Sequence, residues 1–265
     1  MVLPEEVQHA AANGQLDTIK DWLESGNNDV NEVDSDGASL LYHCCLELSA
    51  HEGHVSVIEY LLSRGADVNL PDEHCSLLHV AAVRQSQSPR KIVELLLGAG
   101  IQVDARDNSG TDATPIAWVI SNFCMIDGAR GNLSSEGLKN LVKCCIMLLR
   151  AGASLDAIGR PGPGGEQKSV EDHVNCQLET CEDLEDNEDV IAFQATVAEL
   201  RAAGSWRQYV LAPPKDLLRL RSLIARGRAT VRPHGWTPSC VARLFARSLP
   251  NEIAWRILEY WNPRY

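Results

Sequence analysis

The segment SVIEYLLSRGADVN, Ser56 to Asn69, returns in altered copies along most of this chain. The copies are DTIKDWLESGNNDVN (Asp17 to Asn31), KIVELLLGAGIQVD (Lys91 to Asp104), CIMLLRAGASLD (Cys145 to Asp156) and an eroded ATVAELRAAG (Ala195 to Gly204). Val30, Val68, Val103 and Leu155 fill one slot in successive copies, separated by 38, 35 and 52 residues. A chain that repeats itself in this way folds as a stack of like units, each burying its apolar side on its neighbours.

Each copy is an apolar helical stripe followed by a stop. Val57, Ile58, Leu61 and Leu62 fall on one face of a helix. Gly65 stands where a helix ends in a left-handed residue, and Asp67 and Asn69 suit the tight turn beyond it. A shorter signal precedes each stripe: GASLLYHCC (Gly37 to Cys45), HCSLLHVAA (His74 to Ala82) and GTDATPIAW (Gly110 to Trp118). A hydroxyl residue leads in each, Ser39, Ser76 or Thr114, and Thr114-Pro115 reads as a hydroxyl cap followed by proline in the first turn. One repeat is therefore a turn, a short helix, a connector, a longer helix and a glycine stop.

With these residues in place, the chain resembles the ankyrin-repeat family. Its pattern runs G-x-T-P-L-H-x-A-A, then G-H, I-V-E-L-L-L and G-A-D-V-N, with a period of about 33 residues. Ser76 to Ala82 resemble the first helix, Gly53 and His54 the connector, and Lys91 to Leu97 and Gly65 to Asn69 the remainder. The likeness runs from about Glu5 to Gly204 and is strongest in the second and third units. The fourth unit carries about 19 extra residues, mostly around Ile126 to Lys139, and the fifth keeps little beyond its second helix. The expected fold is an all-α, slightly curved solenoid over residues 1–204, with repeats at 5–33, 34–70, 71–104, 105–156 and 157–204, followed by a helical module over 205–265.

The resemblance implies a concave recognition face built from turn tips and first helices. Here that means Asp34, Asp36, Asp72, Glu73, Asp107 and Asn108 at the tips, joined by Tyr42 and Glu47 on a first helix. It also implies candidate asparagine hydroxylation in the motif L-x5-[DE]-[apolar]-N, which ends here at Asn31 and Asn69.

Charge supports a protein partner. Residues 1–204 hold 13 Lys+Arg against 33 Asp+Glu, whereas 205–265 hold 11 against 3. An acidic repeat region repels nucleic acid and attracts basic protein surfaces. The run Glu179 to Asp189 reads as a solvated loop before the last repeat helix. No apolar stretch is long enough for a membrane span, and the start MVLPEEVQ lacks a secretory pattern, so a cytoplasmic or nuclear protein is expected. Nine cysteines, an odd number with two adjacent pairs, suit buried free thiols better than disulfides. His43, Cys44, Cys45, His51 and His54 cluster in sequence, as do Cys176 and Cys181, but their spacings fit a tetrahedral metal site poorly.

From Ser205 the repeat signal stops. Pro213 and Pro214 are expected to break the chain before a helix from Asp216 to Ala229, with leucines on one face and arginines on the other. Beyond it, LPNEIAWRILEYW (Leu249 to Trp261) resembles the opening of an F-box and, more loosely, a suppressor-of-cytokine-signalling box. That resemblance implies ligase docking through Leu249, Pro250, Ile253 and Leu258; the other reading of the module is a cap that closes the stack. No catalytic fingerprint occurs, and GRPGPGGEQK (Gly159 to Lys168) lacks the strand–loop–helix setting of a phosphate loop. The expectation is a non-catalytic interaction scaffold needing no cofactor and no metal, with a ubiquitin-ligase substrate adaptor as the alternative.

Overall fold

A computed structural model describes residues 2–26, 28–46, 52–70, 75–83, 89–108, 112–123, 135–156, 158–159, 168–180, 184–226, 250 and 256. Two compact units divide the chain, Met1–Val197 and Ala198–Tyr265. The division falls inside a helix, a few residues before the boundary expected at 204.

Regular structure among the described residues is helical, relieved by two isolated antiparallel bridges, Val33 with Ser39 and Gly159 with Lys168. Helices pack in pairs, α1 (Glu5–Ala12) with α2 (Leu16–Glu24), α3 (Leu40–Leu46) with α4 (Glu52–Ser63), α5 (Leu77–Val83) with α6 (Pro89–Gly98) and α7 (Pro115–Ser121) with α8 (Ser135–Arg150); α9 (Val170–Thr180) and α10 (Glu188–Ala203) follow. First helices pack in sequence, α1 on α3, α3 on α5, α5 on α7 and α7 on α9, while α2, α4, α6 and α8 do the same behind them. Leu61, Leu96 and Leu148 sit at equivalent places on α4, α6 and α8 and are all 0% exposed. Each such leucine contributes about 1.5–3 kcal/mol through burial, and only the neighbouring helices make that burial available.

Stops work through backbone bonds that recur in register. Gly65 takes φ 86°, its N–H donates to the Leu62 carbonyl, and the Ala66 N–H reaches back to Leu61. Gly100 with Ile101 and Gly152 with Ala153 repeat the pair of bonds, satisfying carbonyls that every helix end leaves open. The first unit differs. Gly26 does not take the left-handed conformation; instead α2 ends on Ser25, and the Asn28 side-chain amide donates to the Trp22 carbonyl at 2.7 Å.

Three further expectations need correction. Thr114 is the N-cap residue of α7, but its hydroxyl does not cap. It donates across to the Ile158 carbonyl at 2.9 Å, an oxygen that also accepts the Thr114 N–H. The fifth unit keeps a first helix, α9, which the sparse apolar pattern VEDHVNCQLET concealed. Ser169 and Asp172 form a reciprocal box at its start, the Ser169 hydroxyl donating to Asp172 and accepting the Asp172 N–H. Finally, Pro213 and Pro214 do not break the second unit's helix, α11, which runs Trp206–Ala225 with Asp216 inside it. Proline's fixed φ is itself helical, so the helix can continue through both, although each removes an i to i−4 bond and crowds the preceding turn. Leu220 and Leu223 on α11 are 40% and 37% exposed.

Part of the acidic run is also ordered. Glu188 and Asp189 occupy the first turn of α10, where the Asn187 carboxamide oxygen accepts the Asp189 and Val190 amides. Negative charge is favourable at that end of a helix.

Candidate partner-binding surface

The turn tips carry two sets of side-chain bonds. Within each tip, Asp29 accepts the Asn31 amide, Asp67 accepts the Asn69 amide and the Ser154 hydroxyl oxygen accepts the Asp156 amide, all at 2.8–3.1 Å. Between tips, the Asn31 side-chain oxygen accepts the Asp67 amide at 2.7 Å and the Asn69 oxygen accepts the Gln102 amide at 2.8 Å. Asp104 continues the series by accepting the Ser154 amide. Asn69 also donates to the Gly100 carbonyl at 3.2 Å. The candidate hydroxylation positions, Asn31 and Asn69, are thus rungs that tie each turn to the next, Asn69 exposed and Asn31 half-buried.

A second aspartate holds the hairpins of the second and fourth units from inside. Asp34 Oδ1 accepts the Asp36 and Ala38 amides, and Oδ2 pairs with His43 Nε2 at 2.8 Å. Burial works to raise its pKa, but the Ala38, His43 and Asp36 bonds outweigh burial and leave the carboxyl below its ordinary value. Asp107 repeats the arrangement: Oδ1 accepts the Ala113 amide at 3.3 Å and Oδ2 accepts the Trp118 indole N–H at 2.7 Å. Asp107 is only 5% exposed, and the Asp34 side chain 6%. Both carboxylates, expected at the tips as partner contacts, are turned inward to shape the turn.

Asp36 and Asn108 remain exposed at the tips, and Tyr42 is half-buried on α3. Glu47, Asp72 and Glu73 lie outside the described residues, as do Leu249, Ile253 and Leu258; Pro250 is described and exposed.

Histidines serve the junctions between units. His54 is 1% exposed and its Nε2–H donates to the Ala12 carbonyl at 2.8 Å. The approach is close: a Cβ added at Gly14 would lie 2.9 Å from backbone atoms of Gly53 and His54. His79 is fully buried, and its Nε2–H donates to the Ala113 carbonyl of the next unit at 2.9 Å. That bond leaves Nδ1 as the acceptor for the Ser76 amide and hydroxyl. Desolvation holds the His79 pKa below its usual value, so the ring stays neutral and keeps this tautomer.

The bonds to Asp34 and to the Ala12 carbonyl account for His43 and His54, two of the residues whose clustering suggested metal. Cys44 and Cys45 face the core; burial pushes the Cys45 thiol up to about 12 and Cys44 well above its ordinary value. Among the described residues no group of three His, Cys, Asp or Glu side chains could hold a metal ion. His51 and Cys181 lie outside them.

The helix pairs, their glycine stops and the histidine bridges define a helical repeat stack. Residues 7–107 match, in three copies, the family described as ankyrin repeats, and this part of the chain is an ankyrin-repeat region. The match covers the first three units and ends in the turn that opens the fourth. The chain is similar to "Probable E3 ubiquitin-protein ligase XBOS33" of Oryza sativa subsp. japonica, at 29% identity over 254 residues, which are 92% of this chain and 44% of that protein. It is 30% identical over 99 residues to "L-asparaginase" of Dirofilaria immitis, covering 37% of this chain and 15% of that protein. A third relative, "E3 ubiquitin-protein ligase hecd-1" of Caenorhabditis elegans, is 33% identical over 98 residues, 37% of this chain and 3% of its own length. The chain spans less than half the length of these curated relatives.

Proposed function

We propose that this chain is a non-catalytic protein-interaction scaffold whose repeat region receives a partner with a basic surface. The observation that carries this reading is the division of labour at the tips: Asp34 and Asp107 fix the turns from within, while Asp36 and Asn108 stay exposed beside them. The excess of acidic residues over 1–204 gives the surface its sign. Tyr42 adds an aromatic contact of the kind that anchors interfaces. A cytoplasmic or nuclear setting agrees with six described free cysteines, five of them buried, and no described helix is long and apolar enough to cross a membrane.

Reversing the charges of Asp36 and Glu73, with the turn aspartates Asp34, Asp72 and Asp107 left intact, is expected to weaken a partner recovered by affinity purification by about tenfold or more, since each rim charge contributes chiefly through steering and complementarity. Calorimetry at low and moderate salt checks it. Unchanged affinity in the double variant would remove these tips from the interface.

The likeness to a probable ubiquitin-protein ligase, which covers 92% of this chain and so runs past the repeats, favours one second reading. In it the repeats hold a substrate and the segment from Leu249 to Leu258 docks a ligase subunit. Ligase scaffold subunits are then expected to co-purify with the full chain and to be lost from a chain ending at Gly204. Equal recovery with both chains, or with neither, rejects docking through the C-terminal segment.

A further inference from the structure

Asn13 and Gly14 form the only Asn-Gly pair in the sequence. The backbone nitrogen that follows an asparagine can attack that asparagine's carboxamide carbon, and a glycine there has no side chain to obstruct the approach. The pair lies at the end of α1, where Asn13 is exposed and Gly14 takes φ 67°. In the closed first unit the two reacting groups are held apart. Nδ2 of Asn13 turns back along the helix and donates to the His9 carbonyl at 2.7 Å. The Gly14 N–H donates to the Ala11 carbonyl at 3.2 Å, and the Gln15 N–H fixes the same turn through the Ala10 carbonyl at 2.8 Å.

This turn is also a place where the first unit meets the second closely. A Cβ built on Gly14 would lie 2.9 Å from the Gly53 carbonyl carbon and from the His54 nitrogen, and 3.1 Å from His54 Nδ1. Just before Asn13, the Ala12 carbonyl accepts the buried His54 Nε2–H at 2.8 Å. The seam has no slack for an added backbone atom.

We propose that Asn13-Gly14 is a self-modification site that reacts when the first unit opens, and that the isoaspartate it leaves prevents that unit from closing again on the second. Once the turn is released, the Gly14 nitrogen bonds to Asn13 Cγ, the bond from Cγ to Nδ2 breaks, and ammonia leaves carrying the proton that Gly14 gave up. The product is a five-membered cyclic imide. Water then opens the ring at one of its two carbonyls, and nothing is oxidised or reduced. One opening restores an ordinary aspartyl backbone. The other runs the chain through the former side-chain carbonyl, which lengthens the backbone by a methylene carbon. Both products place a carboxylate among the carbonyls that end α1, where negative charge is unfavourable, and both lose the bond from Nδ2 to His9. The isoaspartyl form also shifts Gly14 and Gln15 out of register with Ala11 and Ala10, beside the tight approach to Gly53 and His54. None of these steps depends on which partner the repeats receive.

The test ages the full chain in mildly alkaline buffer, both folded and in urea above its unfolding midpoint, and locates isoaspartate by peptide mapping with isoaspartyl methylation. Conversion at Asn13 is expected to run at least about tenfold faster in urea, because only opened molecules react. The isoaspartyl form is then separated by ion exchange and returned to native buffer for hydrogen exchange. Protection across 5–12 is expected to fall by about tenfold or more, while 115–121, farther along the stack, keeps its protection. Asn13→Gln keeps a carboxamide but would have to close a six-membered ring, and should age without either change. Asn13→Asp carries the charge without the longer backbone, and should lose less protection than the isoaspartyl form. Equal conversion in folded and unfolded chains, no conversion in either, or unaltered protection across 5–12 in the isoaspartyl form overturns the proposal. So does an equal loss in Asn13→Asp, which would leave the longer backbone no part in the effect.

Discussion

Leu96→Ala is expected to lower the unfolding free energy by about 3 kcal/mol, the middle of the range for a buried leucine cut to a methyl group. Leu96 is 0% exposed on α6, which packs against α5 of its own unit and against α4 and α8 of the neighbouring ones. The deleted atoms would leave a cavity at a three-way junction whose helices are fixed from both sides, so the site has little room to collapse. Against a total stability of about 5–15 kcal/mol, the loss is large. Urea unfolding followed by circular dichroism checks it, with Leu220→Ala as the comparison. That side chain is 40% exposed, and its loss is expected to stay within about 0.5 kcal/mol. Similar midpoints for the two variants would show that the repeats do not share a continuous core.

Asp107→Ala is expected to cost about 3 kcal/mol as well, by another route. Truncation leaves the Trp118 indole N–H and the Ala113 amide facing a buried space without their acceptor, and each orphaned donor costs about 1–3 kcal/mol. Asn at this position restores only one partner, since its amide nitrogen would confront either the indole or the backbone donor. Both variants should therefore unfold at lower urea, with Asn the milder, and Trp fluorescence is a convenient probe of the same contact. The measurement also separates two roles. A tip residue that contacts a partner would lose binding with stability unchanged; Asp107 is expected to lose stability first.

Asp107 also shows what could be read from the chain and what could not. The paired helices and the stops at Gly65, Gly100 and Gly152 were legible because their signals are local: an apolar stripe and a glycine where φ turns positive. The roles of Asp34 and Asp107 were not, because their partners are His43 and Trp118, nine and eleven residues away in the following helix. An acidic residue in a turn reads as exposed until the donor that claims it is known. Thr114 misled for a similar reason, its acceptor at Ile158 lying 44 residues on. Helix α9 was missed although Ser169 and Asp172 spell a capping box, since its apolar stripe is thin. Pro213 and Pro214 lie within α11, which continues through both despite the hydrogen bonds that proline removes.

The rungs formed by Asn31, Asn69 and Asp104 each join one turn to the next and to nothing farther away. Damage to such a fastening stays where it occurs. If Asn69 lost its carboxamide, the join between the second and third turns would slacken while those on either side held. The repeat region therefore behaves like a row of books clamped edge to edge, able to open at one seam without scattering the rest.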